Sequence, residues 1–196
     1  IGEYKLPFTV QVQTEEVKSA GRKVSSLEEF LHIAKEDFHE AYRIFTERHF
    51  SLILSDQSEK IRSLYAGMSQ QPVTYQHLEE FLIAAGAKEK VTLNLNREEA
   101  GFYDVSESVQ ESLYIHRSGW GHLRADIEVN GDFLEAGKHV VTEEDFIGST
   151  CEINYVIRQE KLGKGNQYGE IIVKTPYQKL VYHVLASRGT ESAVNL

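Results

Sequence analysis

Near residue 90 the spacing of apolar residues changes from three-and-four to two, and that switch constrains the fold more than any other feature of these 196 residues. A period near 3.6 buries one stripe of a helix, whereas a period of two buries one face of a strand. The chain therefore reads as a segregated α+β fold, a small three-helix block followed by an antiparallel, immunoglobulin-like β-sandwich of about seven strands.

Before the switch, Leu27, Phe30, Leu31, Ala34, Phe38, Ala41 and Phe45 recur at helical spacing, and Ser26 with Glu29 forms a capping-box signal, so one helix is predicted over 27–48. A second is predicted over 57–67 with Asp56 as its cap, and a third over 75–85 between Thr74 and Gly86. After the switch, strand-like runs cover 91–95, 109–117, 122–129, 133–141, 151–158, 168–174 and 179–186. The clearest alternates Leu123, Ala125, Ile127 and Val129 with His122, Arg124, Asp126 and Glu128, and Asn130-Gly131 then predicts a type I′ turn.

A further strand is expected at 4–12, where Leu6, Phe8, Val10 and Val12 alternate and Pro7 restricts it to an edge. Residues 4–10 also resemble 178–184, sharing Lys-Leu, an aromatic and Val at fixed offsets, as the last strand of a preceding sandwich would. The chain opens on Ile1 in that segment with no charged-then-apolar leader, which suggests a piece of something longer. The expected division is an orphan terminal strand and linker at 1–20, a helical spacer at 21–90, the sandwich at 91–188 and a tail at 189–196.

The segments Gly2-Glu3-Tyr4-Lys5-Leu6-Pro7-Phe8, Ser118-Gly119-Trp120-Gly121 and Gly131-Asp132-Phe133, with the helical block, resemble a family of large Gram-positive bacterial proteins of unknown function. The resemblance implies a multidomain scaffold with β-sandwich domains near its amino terminus and helical repeats beyond. It also implies a cytoplasmic location, or an extracellular one if a leader lies upstream. Its motifs are turn and core residues and carry no chemistry.

The residues themselves point away from catalysis. A net charge of −9 with no Lys/Arg run disfavours nucleic acid. The apolar runs are far short of the roughly 20 residues that cross a bilayer. Cys151 is the only cysteine, excluding an intrachain disulfide, and its phase with Ile153, Tyr155 and Ile157 marks it as a small core residue. His32, Glu36 and His39 share a helix face without His-Glu-x-x-His order, and the carboxylates of 143–145 lack the ligand order of a calcium loop. Gly163-Lys164-Gly165-Asn166 lacks the Lys-Ser/Thr ending of a phosphate loop and precedes a strand. No enzyme, metal or cofactor is expected.

The candidate contact residues are Trp120, Tyr177 and Arg117. Trp120 sits in a tight turn between glycines and Tyr177 follows Pro176 in another. If successive strands alternate in direction, the turns at 118–121, 142–149 and 175–177 share the end where the first strand begins. Trp120 or Tyr177 is then expected to meet the helical block, and Arg117 to reach Glu143 or Asp145. The function so predicted is a structural or protein-interaction segment whose partners are other domains of the same protein or another protein. The alternative is a carbohydrate-binding module whose exposed loop aromatics stack on a glycan.

Overall fold

Residues 23–189 are described by the computed structural model, and chain contacts divide the protein into two units, Ile1–Ala87 and Lys88–Leu196. The strand expected at 4–12, its repeat partner relationship and most of the 189–196 tail lie outside the described residues.

Among the described residues, the first unit holds four α-helices: α1 (Leu27–Glu36), α2 (Phe38–Phe45), α3 (Glu59–Met68) and α4 (Tyr75–Ala84). A 3-10 turn, Phe50–Leu54, joins α2 to α3. The single helix expected over 27–48 is thus two. Asp37 leaves the helical region at φ −145°, and its side chain accepts a hydrogen bond from the Glu40 N–H at 3.1 Å. A carboxylate that offers the backbone a local acceptor starts a new helix where the apolar spacing alone runs on. The cap of α3 is Ser58 rather than Asp56, whereas Thr74 caps α4 as expected. Five rings, Phe30, Phe45, Phe50, Tyr65 and Phe81, fill the core between these helices, with the Phe30 and Phe50 centroids 4.7 Å apart in edge-to-face contact.

Among the described residues the second unit has nine strands: β1 (Thr92–Leu95), β2 (Glu99–Val105), β3 (Val109–Ser118), β4 (Arg124–Asn130), β5 (Leu134–Ala136), β6 (Val140–Thr142), β7 (Thr150–Ile157), β8 (Asn166–Lys174) and β9 (Lys179–Arg188). They form a four-stranded sheet, β1-β3-β7-β5, and a five-stranded one, β2-β9-β8-β4-β6, whose inward residues share one core. This is an α+β protein with a β-sandwich-like unit.

Three expectations change. Strand β2 was not foreseen, and it pairs in parallel with β9, so the second sheet is not wholly antiparallel. The run 133–141 is two short strands in different sheets, β5 beside β7 and β6 beside β4. The type I′ hairpin at Asn130-Gly131 does not form, because of the two only Gly131 has positive φ and the chain crosses there to the other sheet. A Cβ on Gly131 would lie 3.2 Å from the Cα of Gly169 on β8, so this corner needs the pair of glycines.

Each added strand runs the same way as the strand before it in the chain, β2 as β1 and β6 as β5, so the 118–121, 142–149 and 175–177 turns lie at the end where β1 begins.

Candidate functional site

At that end the segment leading into β1 is fastened by the aromatics and polar side chains of the turns. The Lys88 ammonium lies 5.0 Å from the Trp120 ring centroid and donates to the Trp120 carbonyl. Lys90 lies 4.8 Å from the Tyr177 ring. Both lysines fall within the expected helical spacer of 21–90, yet by their contacts they belong to the sandwich unit. One residue further on, the Gln178 side chain grips Leu93 at both backbone groups, accepting from its N–H at 2.7 Å and donating to its C=O at 3.2 Å. A side-chain amide here replaces a neighbouring strand for one residue of β1.

Arg117 was expected to reach Glu143 or Asp145; its guanidinium lies 5.6 Å from the Phe146 ring of the 142–149 turn and donates to the Gly121 carbonyl at 3.4 Å. Glu143 accepts from the Leu123 N–H at 3.1 Å and lies 3.7 Å from His122. Burial opposes its charge, but hydrogen bonds from His122, its own N–H and Leu123 outweigh this and hold the carboxyl at about 2. Asp145 is held low chiefly by Lys138, and it also caps Thr142. These carboxylates therefore tie turns together.

Cys151 is buried, and burial pushes its thiol upward. Among the described residues no group of three or more His, Cys, Asp or Glu side chains could hold a metal ion. No helix there is long and apolar enough to cross a membrane.

A second arrangement, missed by the sequence reading, lies on the outer face of the five-stranded sheet. Ladder pairing sets Glu99 (β2) beside His183 (β9), His183 beside Glu170 (β8), and Glu170 beside Asn130 (β4). All four occupy outward positions, since Tyr182 and Val184 on either side of His183 are buried. Asn130 donates to Glu170 at 3.3 Å, and His183 lies 3.8 Å from the same carboxylate. The next outward row is Gly101, Leu185 and Tyr168. The Tyr103 ring folds back over Gly101, where a Cβ would meet its hydroxyl at 3.0 Å. Together with Arg97 these residues line a groove of about 710 Å³. Tyr103 and Tyr168 stand 64% and 75% exposed. The available signal was two tyrosines at positions where alternation calls for polar residues.

Residues 1–195 match a family described as a family of unknown function (DUF5717), N-terminal. The chain belongs to the DUF5717 N-terminal family. No curated protein matches this DUF5717 segment. Among solved structures, that of Vibrio cholerae VesB protease is 6% identical, with a TM-score of 0.31, over 57% of this chain and 35% of that one. That likeness is too slight to bear on fold or activity.

Proposed function

We propose that this DUF5717 segment is a structural or protein-interaction part of a larger bacterial multidomain protein, with no chemistry of its own and helical repeats further along. The fastening of residues 88–93 onto the sandwich carries this reading. Lys88, Lys90 and Gln178 bind the leading segment to the turns at one end of the unit, while β9 leaves from the other. A unit entered at one end and left at the other can hold two neighbours apart. The family description as an N-terminal part supports a longer protein, and the resemblance in the turn motifs supports a bacterial one. The strand order supports an immunoglobulin-like description, with the first two strands divided between the sheets and β2 running beside β9. A lone, buried cysteine fits a reducing, cytoplasmic compartment.

Cross-linking mass spectrometry on the longer protein in cells tests this reading. Cross-links from surface lysines of this segment, such as Lys60 or Lys164, to other domains of that protein or to one recurrent partner are expected. Their absence at all surface lysines would overturn it.

A second reading is a carbohydrate-binding module. The observation favouring it is the groove between Tyr103 and Tyr168, whose aromatic surface is more open than that of the half-buried Trp120 and Tyr177.

A further inference from the structure

The groove on the five-stranded sheet combines features that narrow its ligand. Its apolar part is Leu185, at the outward position between Tyr168 and Gly101, with the Tyr103 ring laid over Gly101. The two tyrosines border it with exposed ring surface, and an outward aromatic on a strand gains nothing from the core. Its polar side is mixed. Glu99 and Glu170 only accept when ionised, Arg97 only donates, and Asn130 and His183 can do both. A cationic ligand would meet Arg97, and an anionic one would meet two carboxylates. A neutral polyol suits both, because each hydroxyl donates and accepts. A flat apolar ring face edged by hydroxyls is the form of a pyranose. The volume lies within the roughly 300 to 1,000 Å³ typical of ligand pockets.

We propose that this face is a saccharide-binding cleft, in which Tyr103 and Tyr168 stack on pyranose rings while Glu170, Asn130 and His183 hydrogen-bond their hydroxyls. The proposal rests on the second reading above and moves its site from the loops at the Trp120 end to the sheet face. Glu170 is already positioned by Asn130 and His183, so little side-chain freedom is lost on binding.

The test is calorimetric titration of the whole chain with short xylo-, cello-, manno- and chito-oligosaccharides, using wild type, Tyr168→Ala, Glu170→Gln and Trp120→Phe. Tyr168 is exposed enough that its removal leaves the melting temperature unchanged, and this is checked first. One or more probes should bind the wild type, about tenfold more weakly with Tyr168→Ala and several-fold more weakly with Glu170→Gln, with Trp120→Phe unaffected. Binding weakened by Trp120→Phe but indifferent to Tyr168→Ala would overturn the placement and leave the carbohydrate reading standing. No binding of any probe by wild type would overturn both.

Discussion

The Tyr155 and Tyr182 hydroxyls meet at 2.9 Å between the two sheets, deep in the core. Each satisfies the other, which permits two phenols where an apolar core would otherwise be disrupted. Burial pushes the Tyr155 phenol well above its ordinary range, so that phenol is neutral in ordinary buffers. Glu143 behaves in the opposite way. Its carboxyl falls from 4.5 to about 2 on folding, so its contribution is fully present above pH 4.5 and is lost as the pH drops towards 2. That depression corresponds to at most about 3 kcal/mol. Glu143→Gln should lower stability near neutrality, with the gap to wild type closing between pH 4.5 and 2; urea unfolding across that range measures it. Gln178 offers a second test at this scale. Gln178→Ala removes both bonds to Leu93, and a loss of about 1 to 3 kcal/mol is expected in the same urea assay.

Among the elements, α2 depends on its first residue. Asp37→Ala removes the acceptor for the Glu40 N–H and should destabilise the helical unit by about 1 kcal/mol, measured by helical circular dichroism in urea. The same residue shows why part of the fold was hidden in the sequence. Ala34, Phe38, Ala41 and Phe45 keep helical spacing straight through the break, and a cap in mid-pattern does not alter periodicity. Where burial alone decides, the reading was sufficient: Cys151, Ile153, Tyr155 and Ile157 are all buried, and Thr74 caps α4. Strand β2 was invisible for a different reason. Its inward Ala100 and Phe102 alternate with Gly101 and Tyr103 instead of polar residues, and its partner β9 lies some 80 positions later. The groove was lost with it, since an aromatic in the polar phase reads as a fault in the pattern. Which end of the sandwich unit the 118–121 turn occupies was legible, because counting strand directions tolerates strands that come in like-oriented pairs.

At the scale of the whole molecule, each unit has its own core, the five rings of the helical part and the two-sheet core of the rest. A fragment beginning at Lys88 should therefore unfold cooperatively by itself, whereas one beginning at Asn94 lacks the lysines and the Leu93 grip. Differential scanning calorimetry of the two should show a lower transition temperature for the shorter fragment. The parallel pairing of β2 with β9 has a mechanical consequence. Tension between the segment before β1 and the end of β9, once it has freed β1 from β3, pulls β2 and β9 lengthwise in opposite directions. Their ladder bonds are then loaded together in shear, and cannot peel apart one after another as in a hairpin pulled from its open end. A tether built from such a unit yields abruptly and at high force, as a link that must hold its length under load would need to.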